Sequence, residues 1–292
     1  MPWAQDVLRE ACRRVGLDPS GARLVKFTSN AVYELVSAPV IIRIPGSEVV
    51  DRRVPKVISV ARWLADEDVP AVRLAEDLPQ PLTVAGRRIT FWHKVISHEP
   101  GIVPNGRELG MILRRLHALP SPGFDLPHWR PLVPIRGRLE EQNLLSPADL
   151  RFLEHKCDDL EERLEAIEYT LPPGPIHGDS TVGNLIPNGR EPVLCDFDAT
   201  AHGPREWDLA PVAFGKVRFA STTGDHEQLA AAYGMDILRW QHFPVLRQLR
   251  ELQLVTSVLP ILEANPSLYD QWRHRFLTFR AGDNITTWSL YR

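Results

Sequence analysis

Long hydrophobic runs are missing from this sequence. Nowhere do 18 apolar residues follow one another, so no segment reads as a membrane span. Cysteine is scarce: the chain holds three. Cys12, Cys157 and Cys195 lie too far apart for a CxxC or Cys/His zinc motif, which predicts reduced structural thiols and a cytoplasmic protein. An excess of one charge is missing too. A net charge of -3 offers no basic surplus to hold a nucleic-acid backbone, and no polybasic or lipidation signal points to a membrane surface. The N-terminus lacks the unbroken apolar stretch of a signal peptide, because Asp6, Arg9, Glu10, Arg13 and Arg14 interrupt it. Internal repeats and low-complexity tracts are absent. What remains has an ordinary globular balance, 43% hydrophobic and 24% charged, over 292 residues. That length buries a full core without disulfides or a structural metal.

Periodicity divides the chain by texture. Residues 3–15 carry helical spacing with Val7, Leu8, Ala11 and Val15 on one face. Residues 22–28, 32–36 and 39–45 are short, β-branched and separated by small polar residues, the pattern of consecutive antiparallel strands. Helical spacing returns over 54–66, and 88–96 reads as a strand leading into a connector over 93–98. From about residue 105 the chain turns mostly helical. Ser146-Pro147-Ala148-Asp149 opens a helix expected to run to about Tyr169, with serine at the N-cap and proline at N1. The stretch 120–134 reads as a Pro-rich loop. The predicted class is α+β. A small antiparallel β-rich lobe (1–95) precedes a larger, mostly helical lobe (96–292).

Chemistry-bearing residue types concentrate in PIHGDSTVGNLIPNGREPVLCDFDATAHGPREWD, residues 175–208. Asp179 follows His177-Gly178, and Asn184 comes five residues later. A predicted strand then delivers Asp196, with Asp198 after it. Phosphoryl transfer uses such a set: a carboxylate to orient and deprotonate the acceptor hydroxyl, plus an amide and a carboxylate to hold magnesium. Magnesium prefers hard oxygen ligands, so Asn with Asp suits it better than His or Cys. The spacing H-x-D-x-x-x-x-N matches a protein-kinase catalytic loop. Asp198 is open to two readings, a second magnesium ligand or a hydrogen bond within its own turn. Cys195 is expected on the opposite face of the strand, buried.

The segment IHGDSTVGNLI…VLCDFDATAHGPREWDLA resembles the aminoglycoside phosphotransferase and choline kinase-like family. The resemblance implies a two-lobed protein-kinase-like fold, with ATP in the cleft and phosphorylation of a small molecule. It implies that Asp179 is the catalytic base and that Asn184 and Asp196 bind Mg2+. It further implies that His177 shapes the loop and that Asp208 anchors it. FTSNAVYEL resembles the family's phosphate-covering hairpin, with Ser29 and Asn30 in place of glycines. Arg43 stands where protein kinases keep the phosphate-pairing lysine, and backbone groups near Lys94 and Val95 are expected at the adenine edge. The helix at 54–65 has no acid to pair with Arg43, leaving Glu48, Asp51 or no partner at all.

A protein substrate is disfavoured. Thr181 replaces the lysine of protein Ser/Thr kinases, Asp198 replaces the DFG glycine, and no activation loop follows. An aminoglycoside acceptor is disfavoured too, because seven acids after Asp208 face nine Lys and Arg. Trp240, Trp272, Trp288 and Tyr233 are candidate stacking surfaces for a sugar ring or an apolar metabolite. Two rival readings remain. VLCDFDAT fits D-x-D-x-T of a haloacid-dehalogenase-type phosphatase, with Asp196 as nucleophile and Asp198 as acid. A non-catalytic nucleotide-binding protein of kinase fold is the other.

Overall fold

The computed structural model describes residues 2–96, 103–189, 191–221 and 223–291. The elements run α1 (Pro2–Val15), β1 (Arg23–Phe27), β2 (Asn30–Glu34), β3 (Val40–Pro45), α2 (Glu48–Asp51), α3 (Val54–Asp66), β4 (Leu82–Val84) and β5 (Arg87–His93). They continue with α4 (Gly106–Ala118), α5 (Val133–Glu141), α6 (Pro147–Glu165), β6 (Gly174–Ile176), β7 (Leu185–Ile186), β8 (Val193–Leu194) and β9 (Ala201–Gly203). Then come α7 (Glu206–Arg218), α8 (Asp225–Tyr233), α9 (Phe243–Ser257), α10 (Leu259–Leu262) and α11 (Tyr269–Arg280). The expected connector at 93–98 lies partly outside the described residues.

The chain forms two compact units. The first joins residues 1–104, 114–126 and 183–200. Asn184, Asp196 and Asp198 therefore belong with the N-terminal sheet, although more than eighty residues separate them from it along the chain. Five antiparallel strands lie in the order β1-β2-β3-β5-β4. Strand alternation sorts their side chains. Ala31, Tyr33, Ile42 and Ile44 pack with Ala4, Val7, Leu8 and Ala11 of α1. Asn30, Val32, Ile41 and Arg43, the intervening residues, face a cleft instead. The β7–β8 ribbon is pinned to this unit by Leu194 N–H to Pro70 O and Val72 N–H to Leu194 O, both at 2.9 Å.

The second unit joins residues 105–113, 127–182 and 201–292. Its core gathers Leu139, Leu153, Leu160, Leu246, Leu249, Leu252 and Val255 from α5, α6 and α9. The β6–β9 ribbon carries the chain into the loop at 177–182 and takes it up again after residue 200. Helix α6 starts as its sequence predicts, Ser146 Oγ accepting from Asp149 N–H at 3.2 Å, but ends at Glu165. Proline-rich 120–134 gives way to α5 at Val133, where Pro134 fits the first turn. Trp272 and Trp288 are buried, Trp272 stacked on Phe276 and Trp288 beneath the Arg218 guanidinium, so both are core rather than ligand platforms. Among the described residues, no helix is long and apolar enough to cross a membrane.

Candidate active site

Helix α7 builds the loop that carries Asp179. Asp208, fully buried in its first turn, accepts from the His177 amide at 2.6 Å and the Gly178 amide at 2.8 Å. Two charge-assisted bonds to consecutive amides fix the loop tightly. Ser180 Oγ donates to the Asp208 carbonyl, and Trp207 Nε1 donates to the Gly178 carbonyl at 2.8 Å. Gly178 has φ +86°, a conformation that suits glycine. Glu206 accepts from the amides of Thr170 and Leu171, both at 2.7 Å. REWD is thus three successive clamps on one approach path. His177 is buried, and its Nδ1 accepts from the Asp179 amide at 3.4 Å. Asp179 itself is half-exposed and accepts from Arg250 Nη2 of α9 at 2.9 Å.

In the other unit, a cleft of about 360 Å³ is lined by Val25, Lys26, Thr28, Asn30, Val32, Ile41, Arg43, Val72, Trp92, His93, Val95, Gly183, Asn184, Ile186, Cys195, Asp196 and Phe197. Five residues singled out in the sequence meet here: Asn30, Arg43, Val95, Asn184 and Asp196. The lining is mostly apolar, with Lys26, Thr28, Asn30, Arg43, Asn184 and Asp196 as its main polar groups, a mix suited to a ligand with one apolar and one charged end. The Cys195 amide donates to the Asn184 carbonyl at 2.9 Å, which locks Asn184 and Asp196 beside each other. Asp196 adopts φ 70° and ψ 68°, a left-handed backbone rarely taken by a non-glycine residue.

Other expected residues stand elsewhere. Ser29 is exposed at the hairpin tip and does not line the cleft; its carbonyl accepts from Gly46 N–H at 2.9 Å. Lys26 of the exposed strand β1 and Thr28 just after it line the wall instead. Lys94 N–H bonds to Pro39 O at 2.8 Å, which leaves Val95 as the described residue next along the chain on the cleft. Cys195 is only partly buried and faces the cleft, contrary to the expected opposite face; burial pushes its thiol up to about 11.

Arg43 finds its carboxylate in an unexpected place. Glu48 pairs with Arg52, while Asp51 accepts from the Arg88 amide at 2.6 Å. Arg43 Nη2 instead bonds to Asp198 and lies 3.9 Å from Asp196 Oδ1. With its amide oriented to bond, Asn30 Oδ1 accepts from Arg43 Nε at 3.2 Å and Nη2 at 2.6 Å. Burial pushes the Asp198 carboxyl up, but the Arg43 charge overrides it and holds the carboxyl below the usual range. Helix α3 contributes a cation: Lys56 Nζ donates to the carbonyls of Asp198 at 2.6 Å and Thr200 at 2.9 Å. Burial draws the Lys56 ammonium down to about 8. No local pattern in the sequence marks Lys56, because its role depends on a turn more than 140 residues away.

Among the described residues, no three His, Cys, Asp or Glu side chains converge as a metal site. Asn184 with Asp196 still fits a hard divalent ion, since both offer oxygen and such ions draw remaining ligands from phosphate and water. Asp198 is less available, because Arg43 holds its carboxylate. Asp196 follows a two-stranded antiparallel ribbon rather than a central parallel strand. The haloacid-dehalogenase reading therefore has no sheet to stand on.

A model described as the phosphotransferase enzyme family matches residues 23–252. Comparison with curated protein sequences gives no match. Among solved structures the chain is similar to an amicoumacin kinase in complex with AMP-PNP, Ca2+ and Ami, with TM-score 0.73, 15% identity, and 98% of this chain and 95% of that one covered. It is similar to a microcompartment-associated aminopropanol kinase, with TM-score 0.70, 20% identity, and 96% and 98% covered. It is similar as well to a choline kinase from Streptococcus pneumoniae, with TM-score 0.67, 15% identity, and 95% and 98% covered. These likenesses establish a protein-kinase-like α+β fold.

Proposed function

The chain belongs to the phosphotransferase enzyme family, and from that premise we propose that it moves the γ-phosphoryl group of Mg-ATP to a hydroxyl of a small molecule. The observation that carries this reading is the gathering of Arg43, Asn184 and Asp196 on one cleft, together with an Asp208-clamped loop that presents Asp179. Support for a nucleotide and a divalent ion comes from the AMP-PNP and Ca2+ of the amicoumacin kinase.

The apolar side of the cleft, with Val32, Ile41, Val72, Trp92 and Phe197, takes the adenine, and Val95 supplies a backbone edge. Arg43 and the Asn30 amide lie toward the phosphates, with Lys26 and Thr28 on the covering hairpin. Asn184 and Asp196 would hold Mg2+, which neutralises phosphate charge when bound. Asp198 acts first on Arg43, keeping its fork aimed; a second metal role requires Arg43 to let go. The acceptor oxygen attacks the γ-phosphorus while the bond to the β–γ bridging oxygen breaks. ADP leaves with that electron pair, and the hydroxyl proton passes to Asp179. His177 and Asp208 hold Asp179 in place. The nucleotide half draws on residues 1–95 with 183–200 added, and the C-terminal helical sequence supplies the acceptor side.

ADP formation from Mg-ATP with pooled hydroxylated compounds tests this. Acceptor-dependent ADP is expected, falling at least about a hundredfold in Asp196→Asn as one anionic ligand is removed. Unchanged turnover in that variant contradicts the metal assignment.

A further inference from the structure

Arg250 on α9 meets Asp179 within the second unit. Its Nη2 donates to Asp179 Oδ1 at 2.9 Å, and its Nη1 donates to Gln253 Oε1 at 3.2 Å. The Arg250 side chain is 18% exposed and that of Asp179 45%, so a largely buried cation reaches an accessible carboxylate. Helix α9 holds the cation rigidly. Leu246, Leu249, Leu252 and Val255 anchor its inner face, and Arg163 donates to Gln248 at 2.8 Å. The neighbouring acid on α9 is otherwise engaged: Glu251 is buried, 3.2 Å from Arg218 and 3.7 Å from Arg247.

We propose that Arg250 reads the acceptor, and that the phosphorylated molecule carries an oxyanion, carboxylate or phosphate, close to its reacting hydroxyl. The proposal rests on the kinase reading above. A guanidinium has five N–H donors in a planar fork, and the bonds to Asp179 and Gln253 use two of them. Three donors remain, one each on Nε, Nη1 and Nη2, and guanidinium donors of this kind bind carboxylate and phosphate oxygens well. A cationic acceptor, by contrast, meets a like charge beside the very carboxylate its hydroxyl has to approach. Nine Lys and Arg against seven Asp and Glu after Asp208 leave few acids to offset that repulsion. An oxyanion seated on Arg250 also draws the guanidinium away from Asp179, freeing the carboxylate oxygen for the hydroxyl proton.

The test is ADP formation with three acceptor sets: hydroxy acids and sugar phosphates, neutral sugars and polyols, and amino alcohols and aminoglycosides. Wild type, Arg250→Gln and Arg250→Lys are compared, with Mg-ATP binding measured by calorimetry in each. The expected result is that an anionic set gives the highest kcat/KM. Arg250→Gln then raises the KM of that acceptor about tenfold or more, the loss of one charge-assisted bond, with the KM of ATP unchanged. Arg250→Lys recovers part of the loss, since the charge survives without the fork. Whether hydroxy acids or sugar phosphates lead identifies the oxyanion. A wild-type preference for neutral or cationic acceptors overturns the proposal. So does an equal fall in kcat for all classes with unchanged KM, which marks Arg250 as only a positioning residue. Mg-ATP binding without turnover of any anionic compound overturns it as well. Absence of both Mg-ATP binding and ADP formation overturns the kinase reading instead.

Discussion

Asp196 holds its left-handed backbone between a β-ribbon and a one-turn helix, at a cost of about 1–2 kcal/mol for a residue with a Cβ. The cost is sustained because the Asn184–Cys195 bond and the ribbon on residues 70–72 over-determine the turn. Its neighbour Cys195 reports on the same cleft. With its thiol pushed up to about 11 by burial, only about one molecule in a thousand carries the thiolate at pH 8. Alkylation of Cys195 by iodoacetamide is therefore expected to be slow at pH 8, to accelerate as pH rises toward 11, and to be slowed by Mg-ATP; peptide mapping by mass spectrometry checks all three. Asp208 is the other decisive single residue. Asp208→Asn keeps the shape but turns one acceptor into a donor facing a backbone N–H. Loss of about 2–3 kcal/mol in stability is expected by denaturant unfolding. Turnover should fall more than about a hundredfold through a misplaced Asp179, while Mg-ATP affinity is retained.

At the scale of elements, several were legible because their signals are local. Short β-branched runs between small polar residues gave β2 and β3; the side of the sheet on which Arg43 falls came only with the structure. The Ser146 cap gave the start of α6. Helix α5 was masked by the prolines around it, although Pro134 fits a first helical turn. The strand before Asp196 was legible and is β8, paired with nearby β7, whereas β6 and β9 pair across more than twenty residues, so no local pattern announces them. Close approach of α4 to α8 is another tertiary feature: a Cβ on Gly106 would stand 1.8 Å from the Asp225 carbonyl, and one on Gly110 2.8 Å from that of Leu229. Gly106→Ala is expected to push the two backbones apart and lower stability by about 1–3 kcal/mol, read from the urea midpoint. Helix α3 shows the same limit from the chemical side. Its lack of acid was plain in the sequence, whereas Lys56 bonding to the carbonyls of Asp198 and Thr200 was not.

At the scale of the whole molecule, family membership follows from a match over residues 23–252, and the fold from structures that resemble nearly the entire chain. The 175–208 segment alone suggested both, because a phosphoryl-transfer site concentrates its carboxylates and amide in one short stretch. The assignment of residues 183–200 to the N-terminal unit was invisible, as was the meeting of Arg250 with Asp179 across 71 residues. Long-range side-chain partners leave no periodic trace. On the proposed mechanism Asp179 serves the chemistry and not the binding of ATP. The most direct test is Asp179→Ala, followed in parallel by calorimetry with Mg-ATP and by ADP formation with a turned-over acceptor. Nucleotide affinity is expected within about threefold of wild type, with turnover reduced about a hundredfold to ten-thousandfold. Turnover that survives the substitution, or nucleotide binding lost together with it, would rule out this role for Asp179.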